Sequence, residues 1–186
     1  NEASVRVLTG SGGFGEDFQI RGFAVPSGDV GFNGLYGLTS ASRMPALMTE
    51  RVEVLKSSST LMNGIGPNGS VGGNINIVTK RAGEEPLTRL TSVYQSKNQL
   101  GVQADIGRRF GEDKRWGVRV NGAHRDGETS VDGSNQRQRI GVLGLDYAGS
   151  RLRWSLDAYT QQEHVDNIRP QVGFTPAVTT VPQPPS

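Results

Sequence analysis

The chain has 186 residues, of which 34% are hydrophobic and 26 are glycine, with a formal net charge of +2 and no cysteine. Its acids and bases are interleaved, which argues against a nucleic-acid partner, and the lack of cysteine removes disulfide frameworks and thiolate metal sites. No apolar run approaches the roughly 20 residues of a membrane-crossing helix, which excludes a helical membrane protein but leaves open a membrane β-barrel.

In chain order, the first part is irregular and glycine-rich. Without an initiating Met, Asn1 is expected to start a processed or excised piece. "SVRVL" (4–8) reads as a strand and "TGSGGFGED" as a loop. "FQIRGF" (18–23) alternates like one further strand, and "AVPSGDVGFNG" returns to loop chemistry. "PALMTE" (45–50) is expected to form a short helix, with Pro45 tolerated in its first turn. "RVEVLK" (51–56) and "NINIVTK" (74–80) read as strands on either side of a polar and glycine-rich stretch.

That stretch, "GIGPNGSVGG", poses a question. Gly64, Gly66 and Gly69 fit G-x-G-x-x-G, the spacing that lets backbone N–H groups approach a pyrophosphate, and Gly10, Gly12 and Gly15 repeat it. A nucleotide loop must open a helix, whose N-terminus holds the anion. "NINIVTK" is β-branched and alternating, and Gly22, Pro26 and Gly28 break any helix after the earlier match. The glycines are therefore assigned to tight turns and close strand packing.

The second part has a strict period of two. In 98–110, Leu100, Val102, Ala104 and Ile106 share one face, with Gln99, Gln103, Asp105 and Arg109 on the other. In 116–126, Trp116, Val118 and Val120 oppose Arg119, Asn121 and Arg125. In 151–161, Leu152, Trp154, Leu156 and Ala158 oppose Arg153, Ser155, Asp157 and Gln161. Segments 87–97 and 136–147 alternate less cleanly. Runs of about 10 residues suit tilted membrane strands. Connections at 111–115 and 148–150 are short and those at 126–136 and 162–176 long, as in outer-membrane barrels. A soluble β-sandwich has the same periodicity, so on alternation alone both architectures stand.

The ordered motifs Ile20-Arg21-Gly22, Glu50 to Lys56, Gly72-Gly73 and Ile75 to Arg81 resemble the TonB-dependent outer-membrane receptors, in particular their ferric-siderophore branch. The family carries an "IRG" strand, an "ERVEVL" strand, a glycine turn and an "INIVTKRP" strand in that order. The sequence departs from the pattern at Ser57-Ser58, where the family has Gly-Pro, and at Asn63, where it has an aromatic. The resemblance implies a mainly β fold: a partial plug domain over 1–83, then about five antiparallel strands of a transmembrane β-barrel over 84–186. A whole receptor of this kind has a barrel of about 22 strands closed around its plug.

It further implies a receptor and transporter, not an enzyme, in the outer membrane of a Gram-negative bacterium. Its partners would be a ferric siderophore and a TonB-type energy-coupling protein, gripped through a segment absent from this chain. Iron would arrive already chelated, with no resident cofactor or metal. Ligand contacts are expected at Phe32, Tyr36, Ser42, Arg43 and Met44, and plug–barrel charge contacts at Arg21, Glu50, Arg51 and Glu53. Trp116 suits an interfacial aromatic girdle. His124 and His164 lack ligand spacing, and no catalytic triad or carboxylate pair can be assembled. The alternative function is a soluble, secreted all-β binding or adhesion module. The Pro-rich end, "VPQPPS", is expected to lie in a mobile outer loop.

Overall fold

A computed structural model describes residues 4–8, 15–40, 42–56, 64, 66–95, 98–130 and 132–167. Gly10 and Gly12 of the earlier glycine match, the departures at Ser57, Ser58 and Asn63, and the Pro-rich end lie outside the described residues. Eleven strands fall into three sheets, with no α-helix among the described residues.

The first sheet comprises β1 (Val5–Val7), β2 (Phe18–Ile20) and β3 (Phe23–Val25), all antiparallel. "FQIRGF" is thus a hairpin and not one strand. Arg21 and Gly22 take φ of 51° and 89°, the paired positive values of a two-residue type I′ turn. An Arg at the first position hides the usual Asn-Gly signal.

β4 (Val30–Phe32), β5 (Thr49–Leu55) and β6 (Asn74–Thr79) form the second sheet in the order β4-β6-β5. β4 runs parallel to β6, placing a strand where loop chemistry was expected. The "PALMTE" turn is a single 3-10 turn, Ala46–Met48, after which Thr49 enters β5 directly. A register shift between Thr49 and Arg51 leaves Glu50 as an unpaired bulge residue. The two small sheets share a core of Ile20, Val25, Val30 and Ile75. Gly72 and Gly73 permit this packing: a Cβ would lie 2.8 Å from the Ile20 carbonyl oxygen at Gly72 and 2.2 Å from that of Leu55 at Gly73.

The third sheet is a five-stranded antiparallel meander of β7 (Leu87–Gln95), β8 (Gln99–Phe110), β9 (Trp116–Glu128), β10 (Asn135–Ala148) and β11 (Arg153–Val165). Its register stacks inward side chains in rows, such as Leu87, Gly107, Arg119, Gly144 and Asp157, then Arg89, Asp105, Asn121, Val142 and Tyr159. Outward rows run from Phe110, Trp116, Tyr147 and Trp154 through Ile106, Val120, Leu143 and Ala158. The two faces expected for 98–110, 116–126 and 151–161 are the two faces observed. β10 alternates poorly because Ile140 and Val142 point inward, where Ile140 helps line the cavity described below.

The connections are more even than expected. β9 and β10 pair as far as Glu128 and Asn135, so their link shrinks to residues 129–134. At the other end Trp116 packs 4.9 Å from Tyr147 and 5.7 Å from Trp154, between ring centroids.

Candidate functional site: the plug–wall junction and the glycine loop

The first two sheets sit against the inward face of the third, and the junction is ionic. Thr79 ends β6, and the segment Lys80–Ala82 then crosses the wall. Arg81 donates two hydrogen bonds to Asp157, at 2.5 and 2.6 Å. Lys80 Nζ reaches Asp105 at 3.3 Å, and Arg119 holds the same carboxylate through two bonds of 2.5 and 2.8 Å. Arg119 Nη1 also donates to the Arg81 carbonyl at 3.2 Å, and Arg109 to the Ala82 carbonyl at 2.9 Å and to Asp146 at 2.7 Å. Four cations thus face three carboxylates in one continuous network. Gly144 lets the backbone pass: a Cβ there would lie 3.1 Å from both Arg81 Nη1 and the Lys80 carbonyl oxygen. Such fork-to-fork Arg–carboxylate pairs fix orientation as well as distance.

Asn33 couples the second sheet to this junction. At the tip after β4, with φ of 50°, it donates to Thr79 Oγ1 at 3.0 Å and to Asp157 at 3.3 Å.

At the opposite end of β6 the glycine loop does bind an anion, and the anion belongs to the protein. Asp29, 2% exposed, accepts from the Asn68 amide at 2.7 Å and the Ser70 amide at 2.9 Å, and from the Ser70 hydroxyl and the Asn68 side chain. Burial alone would raise the Asp29 pKa, but these four donors outweigh it and hold the carboxyl below its ordinary value. A Cβ at Gly66 would sit 2.7 Å from Asp29 Cγ. Backbone N–H groups and a missing side chain, the features of a phosphate loop, here enclose a carboxylate.

The expected contact residues do not converge on one pocket. Tyr36 lies under the glycine loop and shares a short hydrogen bond with Asn74; burial first and the Asp29 charge second raise its pKa. Phe32 ends β4, beside Asn33. Ser42 bridges to Gly15 and bonds Ser40, with 2.6 Å between the hydroxyls. Arg43 and Met44 do meet, in a cavity of about 620 Å³ between the plug and the wall. Val52, Val54, Ile75 and Ile77 supply its apolar side, and Gln103, Gln138 and Gln161 its polar side.

Arg51 and Glu53 alternate with Val52 and Val54, so they occupy the plug face turned away from this cavity. They pair with each other at 2.8 Å, and Glu53 accepts from Asn76 at 2.8 Å. These bonds, from Asn76 first and Arg51 second, lower the Glu53 pKa. Glu50 is exposed in its bulge and Arg21 in its turn. The charges that fasten the plug to β8, β9 and β11 are Lys80 and Arg81, the last two residues of the "INIVTKR" motif; their inward partners Asp105, Arg119 and Asp157 were legible as a polar face but not as a docking surface. Asp29 escaped notice because nothing local marks a buried carboxylate. Among the described residues no group of three acidic or histidine side chains is placed to hold a bare metal ion.

Comparisons with known proteins agree with this architecture. Residues 1–74 match the TonB-dependent receptor plug domain. The chain is 43% identical over 187 aligned positions to the ferrichrome receptor FcuA of Yersinia enterocolitica, covering all of this chain and 24% of that protein. It superposes on BauA, the ferric preacinetobactin receptor of Acinetobacter baumannii, with a TM-score of 0.85 at 45% identity, over 99% of this chain and 27% of that one. The pyoverdine receptor FpvA of Pseudomonas aeruginosa shares the fold, with a TM-score of 0.67 at 18% identity over 86% of this chain and 24% of its own. The chain spans about a quarter of the length of these relatives. The plug sheets stapled to a five-stranded wall and the matching plug model together identify residues 1–74 as a TonB-dependent receptor plug domain, and the whole chain is similar to the corresponding quarter of the receptors named above.

Proposed function

We propose that the protein containing this chain resides in the outer membrane and imports a ferric siderophore, with energy delivered by a TonB-type partner to a segment outside this chain. The observation that carries the reading is the two-faced sheet. Its outer rows are apolar over the width of a membrane band, and its inner rows are polar and bound to the plug through Asp105, Arg119 and Asp157. A soluble adhesion module would leave Leu90, Leu100, Val120 and Leu156 bare to water, so the alternative is disfavoured.

In this reading the turns at 111–115 and 149–152 face the periplasm. Arg21, Glu50, Arg51 and Glu53 face wall strands beyond this segment. Phe32, Tyr36, Ser42, Arg43 and Met44 serve chelate contact, Arg43 answering the negative charge of the complex. The iron is cargo, carried in its chelator, and no resident cofactor is needed.

The test is growth of a deletion strain under iron limitation on a panel of hydroxamate and catecholate chelates, alongside membrane fractionation of the full-length protein. Loss of growth on one chelate class, restored by the gene, supports the reading. Recovery of the protein in the soluble fraction without detergent overturns it.

A further inference from the structure

Asn-Gly pairs stand in the sequence at 33–34, 63–64, 68–69 and 121–122. Asn63 lies outside the described residues. In each of the other pairs the asparagine amide donates to a carboxylate already met above. Asn33 Nδ2 reaches Asp157 at 3.3 Å, Asn68 Nδ2 reaches Asp29 at 3.2 Å, and Asn121 Nδ2 reaches Asp105 at 2.5 Å. An asparagine followed by glycine is thermolabile, because a residue without Cβ leaves its backbone nitrogen open to attack the preceding side-chain amide carbon.

The three amides are unequally restrained. Asn121 is 2% exposed in the middle of β9, with Asp105 paired on one side and Val142 on the other. Asn33 is exposed, but it is held at both ends of its amide. Its Oδ1 accepts from the Thr79 amide at 3.0 Å, its Nδ2 donates to Thr79 Oγ1 at 3.0 Å, and the Gly34 N–H donates to Asn76 Oδ1 at 2.9 Å.

Asn68 is the looser case. It is exposed at the second corner of a β-turn, after Pro67, closed by the Gly69 N–H donating to the Gly66 carbonyl at 3.0 Å. Among the described residues its side chain bonds only Asp29. A Cβ at Gly69, where φ is 67°, would meet nothing within 4 Å, so no neighbour crowds the approach of the Gly69 nitrogen.

We propose that Asn68 is a site of spontaneous deamidation, and that its conversion to aspartate or isoaspartate releases the glycine loop from Asp29. The Gly69 nitrogen attacks Asn68 Cγ; a Cγ–N bond forms, the Cγ–Nδ2 bond breaks, and Nδ2 leaves as ammonia with the Gly69 proton. Water then opens the cyclic imide at Cγ to give aspartate, or at the main-chain carbonyl to give isoaspartate. In the product a carboxylate replaces the donor that faced Asp29, which is 2% exposed, and like charges so placed cannot both ionise without cost. Isoaspartate also lengthens the backbone between the residue 68 and 70 amides, which clasp the two Asp29 oxygens at 2.7 and 2.9 Å. Neither the cargo nor the membrane enters this chemistry.

The test ages the full-length receptor in mildly alkaline buffer and follows each site by peptide mapping, with fragmentation mass spectrometry separating isoaspartate from aspartate. Conversion is expected first at Asn68, about tenfold more slowly at Asn33, and not at Asn121 while the protein stays folded. In the converted fraction, hydrogen exchange of the Ser70 amide should rise about tenfold, the order expected when a hydrogen bond to a buried carboxylate gives way to a like charge. The Lys80 amide, at the other end of β6, should be unaffected. Asn68→Asp should reproduce the rise without ageing, and Asn68→Gln, which would have to close a larger ring, should resist conversion.

Conversion of Asn33 before Asn68 overturns the site, as does an intact Asn68 in the folded receptor after the same residue has converted fully in the denatured one. A converted receptor whose Ser70 amide exchanges as slowly as before overturns the release of the loop.

Discussion

The Arg81–Asp157 pair gives the sharpest test of how the plug is held. Its side chains are 25% and 13% exposed, and its two bonds are 2.5 and 2.6 Å long. Removing one partner of a fully buried pair costs about 3–5 kcal/mol, largely through the stranded charge. Here partial exposure softens that penalty, and about 2 kcal/mol is expected for Asp157→Ala. Two kcal/mol corresponds to about a 30-fold change in a local opening equilibrium. The reporter is built in: the Lys80 amide donates to the Met48 carbonyl at 2.9 Å, so its hydrogen exchange records undocking of the crossing segment. In the full-length receptor, Asp157→Ala and Arg81→Ala should each speed that exchange about 30-fold, and the double variant should do little more. Near-additive effects, or a change below threefold for either single variant, would refute the view that this pair anchors the plug's end to the wall.

The remaining predictions address the loop, the core and the belt. Asp29→Asn should destabilise the plug by about 2 kcal/mol in denaturant titrations, because the Asn68 and Ser70 amides donate to different carboxylate oxygens and an amide replaces one of them with a donor. Since folding lowers the Asp29 pKa, its stabilisation is complete above the unfolded carboxyl pKa of about 3.9 and fades as pH falls through the lower folded value. Acid titration of wild type should therefore show a loss below about pH 4 that Asp29→Asn lacks. Gly66→Ala should cost about 1–3 kcal/mol by overpacking against Asp29, visible in the same titrations. Val120→Arg, in the middle of the outward belt, should cost about 2–4 kcal/mol in membrane refolding. Single Cys replacements at Ile106 and Gln103 should separate the faces: a water-soluble thiol reagent labels the latter and spares the former, and equal labelling counts against the membrane orientation.

The legibility of the sequence tracked the range of the forces involved. The wall strands were readable because period-two patterning is local, and Leu100, Val102 and Ile106 declare their face within one strand. β4 was not, because "VGF" becomes a strand only by pairing in parallel with Ile75–Ile77, more than forty residues away. The β2–β3 turn failed for a different reason: pairing of Ile20 with Phe23 leaves a two-residue link, which holds Arg21 in a conformation that its side chain does not favour. β10 alternated poorly because its inward face meets apolar plug surface as well as water, so Ile140 and Val142 answer a partner distant in sequence. The ion network was half visible. Asp105, Arg109, Arg119 and Asp157 stood on readable polar faces, but which carboxylate meets which guanidinium depends on how the plug sits, a rigid-body fact with no local signature.

The glycine loop carries the more general lesson about motif reading. G-x-G-x-x-G encodes a backbone able to present N–H groups to negative charge at close range, and nothing in the pattern says whose charge. An external phosphate requires an open mouth and, in dinucleotide folds, a helix dipole behind it. In this chain β6 follows the loop, so no dipole is available, and the mouth is filled by Asp29 from the 3-10 turn before β4. A short acid-bearing turn leading into a strand that pairs beside the loop's own strand is what separates the two cases. Once Val30 pairs with Ile75, Asp29 is carried to the loop's underside, where an unsatisfied carboxylate would be intolerable. The same geometry sets the plug's division of labour. One end of β6 is fastened to the wall by Lys80 and Arg81, while the other carries a loop hydrogen-bonded to the Asp29 carboxylate. A disturbance at the loop is therefore expected to travel down β6 and to be arrested near Thr79, where the ionic junction begins. Swapping the two strengths, by adding an ion pair at the loop and deleting Asp157, should transfer exchange protection from the Lys80 amide to that of Ser70. Unchanged protection at both amides would show that the sheet, and not its two anchors, governs the motion.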